Sequence, residues 1–254
     1  MKYARNTTAP AAFTLVEMLV VILVISIVAA IAIPTAVGLF TAGADNQAYN
    51  MLSAQMTAAR SYAIRNSTYT LVHVQVADPA AFNGSMEDKT YMMLMRYDRD
   101  STFMPGVGIF SPVPDADPLP VPGKIAFGNL QTPYVAGNAY ADLDDAALAG
   151  FTTFNIVFSP SGTVVTAVDG KPIIINPTHS LFTGPAGKKL WNPDLVWDDV
   201  NKKPLHGQIG TTGVTLFDYT KIAPLSPAER KTYLNDNGQF LAINMYTGQL
   251  LPKE

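Results

Sequence analysis

The 254-residue chain contains no cysteine, which excludes disulfides, thiolate nucleophiles and thiolate metal sites. Charge is sparse. Asp, Glu, Lys and Arg make up 15% of the residues, and the formal net charge of -3 argues against a general polyanion-binding surface. Histidine occurs only as His73, His179 and His206, each isolated. The chain lacks HExxH, GxSxG, a Walker A loop and a GxGxxG following a strand. Ser111, Ser159 and Ser161 each stand beside proline, which reads as turn chemistry rather than nucleophilic catalysis. No enzyme activity and no cofactor are therefore expected. Beyond residue 33 nothing is long and apolar enough to span a bilayer.

What the chain does have is one uninterrupted apolar run near its start. From Phe13 to Ile33 a single ionisable side chain, Glu17, breaks 21 residues, and Pro34 follows. As a helix this run covers roughly 31 Å, a bilayer's hydrocarbon thickness. Lys2 and Arg5 precede it, so the start of the chain stays cytoplasmic and the remainder is exported. A carboxylate in such a helix costs about 2.5–3.5 kcal/mol on insertion scales, so it needs a partner or a purpose. A secretory signal with Ala30-Ile31-Ala32 as cleavage site would use the same features. That run is longer than a usual signal core, however, and it contains an acid. A plain signal anchor explains the length but neither Glu17 nor Pro34.

The segment AAFTLVEML resembles the processing site of type IV prepilins and type II secretion pseudopilins. The resemblance implies cleavage between Ala12 and Phe13 by a dedicated prepilin peptidase, with N-methylation of Phe13. Glu17 then becomes the fifth residue and Pro34 the twenty-second, both matching the family's pattern. Ala12 departs from the usual glycine before the cut, which implies slower processing. The new amine of Phe13 gives Glu17 its purpose: in a filament core of packed helices it pairs with a neighbour's amine, where low dielectric strengthens the attraction. An unpaired Glu17 is penalised there, so the pair also fixes register.

Beyond the apolar run, small or apolar residues recur at Ile33, Val37, Phe40, Ala44, Ala48, Leu52, Met56, Ala59 and Ala63. This spacing predicts one helical stripe reaching about Asn66. Pro34, Gly38 and Gly43 predict a kink or local melting. After Ser67 the period becomes strand-like, from Thr68 to Val76 and again from Thr90 to Tyr97, with Asp78-Pro79 and Asn83-Gly84 as turns. Met104 to Gly123, with six prolines, reads as a stiff irregular loop. A short strand at Lys124 to Phe127, a helical piece at Asp142 to Ala149, a hairpin through Pro160-Ser161-Gly162 and a strand at Ile173 to Ile175 follow. Asn176 to Gly213 reads as an insertion. Ser226, Pro227 and Glu229 form a capping box opening a helix. A closing hairpin turns at Thr247-Gly248.

The helix-to-strand join, LSAQMTAARSYAIRNSTYTLVHV, is similar to that of GspH/FimT-type minor pseudopilins. Together these readings imply an α+β, pilin-like fold. Residues 1–12 are the leader, 13–66 the transmembrane and assembly helix, and 67–254 a β-rich head with insertions near 98–123 and 176–213. The expected function is that of a minor pseudopilin or minor pilin in the inner membrane and then in a filament. Its expected partners are prepilin peptidase, the membrane and other pilin subunits. A membrane-anchored binding protein or adhesin is the alternative, and an exported hydrolase a third. Asp142, Asp144 and Asp145 are weak calcium candidates, since hard cations want clustered oxygens, but acids opening a helix explain them as well. Asp115 and Asp117 read as solvated loop residues. Lys188-Lys189 and Lys202-Lys203, with Trp191 and Trp197 between, are interrupted by Asp194, Asp198 and Asp199, which argues against nucleic acid.

Overall fold

The computed structural model describes residues 15–76, 90–99, 108–122, 124–129, 151–179, 196–198, 200–204, 209–222 and 224–252. Helix α1 spans Leu15–Asn66 and ends where the helical stripe runs out. Its backbone stays helical through Pro34, so the local melting expected there does not occur. Proline removes one donor and the flanking turns keep theirs, so the helix survives. Residues Ala44–Glu254 form a compact unit distinct from residues Met1–Gly43.

Within the larger unit, residues 44–66 of α1 bury Ala48, Leu52, Met56, Ala59 and Ala63, at the expected three- and four-residue spacing. They lie in a cluster with the inner faces of two antiparallel sheets. The first sheet contains β1 (Thr70–Val76), β2 (Thr90–Asp98), β3 (Ile109–Pro112), β4 (Leu119–Pro120), β6 (Phe154–Phe158) and β7 (Val164–Val165). Its order is β3-β2-β1-β6-β7, with β4 also on β2. The second is β12-β11-β10-β5, from β5 (Ile125–Asn129), β10 (Gly213–Asp218), β11 (Gln239–Ile243) and β12 (Leu250–Pro252). Val72 and Val74 of β1, Phe127 of β5, Ile156 of β6 and Leu216 of β10 meet under the helix. Each large side chain buried there contributes about 1.5–3 kcal/mol.

The other face of the first sheet is also buried. Leu71, Met93, Met95, Phe110 and Val157 pack beneath Val168 and Ile173–Ile175. Met92, Met93 and Met95 are fully buried on the two faces of one strand, where flexible thioethers fill irregular gaps. The Phe110 N–H donates to Ile174 O at 2.7 Å and the Asn176 N–H to Phe110 O at 2.9 Å, so β3 does not leave a bare edge.

One expectation about the strands requires correction. The proline-rich loop contains β3 and β4, paired to β2 through Met95↔Pro112 and Tyr91↔Pro120. Proline is tolerated there because these are short strands at the sheet margin. Within the segment read as an insertion, Asn176 to Gly213, Val196 is buried in the outer cluster. The Gly210 N–H donates to Thr166 O at 2.8 Å and the Thr211 N–H to Asn155 O at 2.7 Å, tying this segment's end to the first sheet. Gly213, the last residue of that segment, opens β10, an inner strand of the second sheet. Trp197–Asp198 and Lys203–Pro204 (β8, β9) form a separate two-stranded ribbon. The turns at residues 78–84 and the helical piece at 142–149 lie outside the described residues.

Two turns hold the helix and the sheets together. In the β6–β7 turn Gly162 adopts φ +82°, and a Cβ there would stand 2.7 Å from Ile64 Cδ1. Arg60 Nε donates to the Gly162 carbonyl at 3.0 Å. In the β11–β12 turn Gly248, at φ +67°, lies against the Phe158 ring. The Val164 N–H donates to Met245 O at 2.7 Å, linking the two sheets. The short helices α2 (Tyr219–Ile222) and α3 (Pro227–Asn237) cover Ala126, Phe151 and Phe217. The α3 capping box is present: Glu229 Oε2 accepts from the Ser226 N–H at 2.9 Å and the Ser226 hydroxyl at 2.6 Å.

A fragment starting near Thr41 is predicted to unfold cooperatively, and Leu52→Ala in it to cost about 2–5 kcal/mol in a urea titration. A fragment starting after Ser67 lacks the stripe and should lose that transition. Equal stability of the two fragments would show that the stripe does not hold the sheets together.

Candidate assembly segment and a buried polar cluster

The first part of α1 follows different rules from the rest. Over Leu15–Ala32 the mean hydropathy is 3.0, so among the described residues this helix is long and apolar enough to cross a membrane, and none of the window is buried. Leu15 is 79% and Ile31 67% exposed. A continuous apolar surface of this length has no stable place in water. Backbone groups within it are satisfied along the helix, and the one hydroxyl, Ser26, donates to Ile22 O at 2.8 Å. A helix with internally paired polar groups meets the requirement for residence in hydrocarbon. Glu17 sits exposed in the first turn, where the helix dipole favours a carboxylate. Ala12 and Phe13 lie outside the described residues, and Pro34 lies in the helical backbone.

Residues 9–33 match the family described as Prokaryotic N-terminal methylation motif. No curated protein and no solved structure matches the chain. The match covers only the start of the chain, and with the apolar helix that carries it supports a type IV pilin-like reading. The α+β architecture, an apolar helix followed by a helical stretch and antiparallel sheets, is consistent with the pilin-like fold.

The isolated histidines separate in the structure. His206 lies outside the described residues, and His179 is half-buried beside a cleft of about 420 Å³ that Arg96, Asp115 and Asp117 also line. His73 is fully buried on the outer face of β1. Its Nδ1 lies 2.7 Å from Asn155 Oδ1 and its Nε2 2.8 Å from Gln75 Oε1. A neutral imidazole carries one N–H, so it donates to one amide oxygen, and the other amide must present its NH2. Burial pushes the His73 pKa below its ordinary 6.5, against the pull of its hydrogen bonds to Gln75 and Asn155. Such an arrangement is structural: it fixes register between β1 and β6 and offers no open face to a substrate. The sequence reading missed this cluster because a polar residue on alternate strand positions reads as solvent-facing, and here that face is covered.

Asp198, a residue of the basic–aromatic segment, serves its own turn. It accepts from the N–H groups of Val200 and Asn201, both at 3.0 Å, and from Asn201 Nδ2 at 2.6 Å. The Asn201 side-chain bond is the first cause holding its carboxyl below the usual range. Lys202 and Lys203 are exposed nearby. Lys188, Lys189, Trp191, Asp194 and Asp199 lie outside the described residues, as do Asp142, Asp144 and Asp145. Among the described residues no three His, Cys, Asp or Glu side chains are grouped to hold a metal.

The lowered His73 pKa sets a pH dependence. The unfolded chain takes up a proton near pH 6.5 while the folded state resists it. Stability is therefore full above about 6.5 and falls as the pH drops through the lowered folded value. His179, lowered by partial burial, acts in the same direction. Urea midpoints measured between about pH 7.5 and 5.5, above most carboxylate titrations, should decline. In His73→Gln that decline should be smaller. An unchanged slope would place the acid sensitivity elsewhere.

Proposed function

We propose that the chain is a structural subunit of a type II secretion pseudopilus or a type IV pilus, held in the inner membrane before assembly. The carrying observation is the methylation motif seated on a helix whose apolar surface no part of the described protein covers. Prepilin peptidase cuts between Ala12 and Phe13 and the amine of Phe13 is methylated. Residues 1–12 leave as the leader, residues 13–66 act as anchor and assembly helix, and residues 67–254 form the exported head. Removing Lys2 and Arg5 takes the formal charge from -3 to -5. Glu17 pairs with the Phe13 amine of a neighbouring subunit, and Pro34 eases the fitting of helices in the filament. The role is mechanical rather than catalytic. The resemblance of the helix-to-strand join to GspH/FimT-type proteins favours a subunit present in fewer copies than the bulk fibre protein.

Two predictions test this reading. Ala12→Leu should leave uncut precursor in the membrane, because the peptidase site must accept a small residue before the cut. Immunoblotting separates the two forms by the leader's mass. Normal processing of this variant, or of the native chain in cells lacking the peptidase, would refute the assignment.

Glu17→Ala removes the carboxylate cost of about 2.5–3.5 kcal/mol, so membrane insertion should be no worse. Incorporation into sheared filaments should nevertheless fall, because a neighbour's amine loses its counter-charge. The readout is filament-bound protein relative to total processed protein. Normal incorporation would leave an anchored binding protein as the better reading.

A further inference from the structure

One cleft of the larger unit brings together opposite charges that do not pair. It measures about 420 Å³, and exposed Arg96 of β2, exposed Asp115 and Asp117, and half-buried His179 line it. Among the described residues, no hydrogen bond or ion pair engages the side chain of Arg96, Asp115 or Asp117. Both walls are nevertheless built. Strand β3 lies beside Arg96 through the pairing Arg96↔Ser111. The Val113 N–H donates to Leu94 O at 3.0 Å, and the Ala116 N–H to Val113 O at 3.2 Å, closing a turn over Pro114 and Asp115. Asp115 is held there at φ +62°, in the left-handed region where this turn position ordinarily carries glycine or asparagine. On the other side Asn176 Nδ2 donates to the Ser111 hydroxyl at 3.2 Å. Asn176 Oδ1 accepts from the Thr178 N–H at 3.1 Å and its hydroxyl at 2.8 Å, which sets the chain just before His179. Pro114 and Pro118 stiffen the wall that carries the two carboxylates.

We propose that this cleft binds a small zwitterion, a molecule with one ammonium and one carboxylate, as free α-amino acids and short peptides have. An anion alone meets the repulsion of Asp115 and Asp117, and a cation alone that of Arg96. A molecule carrying both charges satisfies the two sides at once. Arg96 takes the carboxylate, because a guanidinium presents paired N–H donors that match two carboxylate oxygens. Asp115 and Asp117 share the three donors of the ammonium. No ion pair has to break before the ligand enters, and the stiff wall has little freedom left to lose. The size agrees: small-ligand pockets run about 300–1,000 Å³, and an extended dipeptide spans about 7 Å. The site is independent of the filament reading, since its residues belong to the unit Ala44–Glu254 and none to the apolar helix.

The test uses the full chain in detergent micelles. Isothermal titration with alanine and with alanylalanine should show saturable binding at one site, and the tighter of the two tells a free amino acid from a peptide. N-acetylalanine keeps only the carboxylate and alaninamide only the ammonium. Each should bind about tenfold more weakly than the zwitterions, the share of one charge-assisted contact. Arg96→Gln should weaken both zwitterions about tenfold and leave alaninamide no weaker. Asp115→Gly separates binding from folding: glycine relieves the positive φ, so the urea midpoint should hold or rise while zwitterion affinity falls. Failure of both zwitterions to bind overturns the proposal, as does binding of either single-charge analogue as tightly as the zwitterions. Unchanged zwitterion affinity in both variants places the binding elsewhere and overturns it too.

Discussion

The larger unit depends on close approach between one helix and two sheets. Ala48, Ala59 and Ala63 keep the helix surface low, while Leu52 and Met56 fill the space between the sheets. Because both sheets send their inner residues into the same cluster, neither has a complete core without the helix. Larger residues at the alanine positions would push the backbone outward and strain contacts with Val72, Phe158 and Leu241 together. The same stretch also fixes the β6–β7 turn, since Gly162 fits against Ile64 only without a side chain of its own.

Charge and greasiness divide along the helix accordingly. The stretch Leu15–Ala32 is apolar on every side, so its stable environment is hydrocarbon or other helices of its kind. The following stretch is apolar on one side only, and that side is already occupied. The division leaves one length of helix uncovered and commits the other to its own sheets.

Much of this was legible in the sequence. The stripe from Ala48 to Ala63 and the helix end at Asn66 follow from periodicity. The Ser226–Glu229 cap and the closing hairpin follow from local turn and capping chemistry. What stayed hidden depended on contacts distant in the chain. The run Val214-Thr-Leu-Phe217 is too short and mixed to announce a strand by itself, and Gly213, the first residue of β10, closes the segment read as an insertion. Burial of His73 needs residues about 100 positions later to cover its sheet face, and no local pattern announces that. Prolines in β3 and β4 masked short pairings that survive because they lie at the sheet margin.

The methionines of β2 carry a consequence for encounters with oxidants. Methionine sulfoxide is polar where the thioether was not. Met92, Met93 and Met95 have no solvent-accessible surface in the folded head. Oxidant therefore reaches them only when the first sheet opens, and the added oxygens then resist reclosure. Chemical ageing of the folded unit is in this way gated by its own opening, and the wear it accumulates records how often its first sheet has come apart.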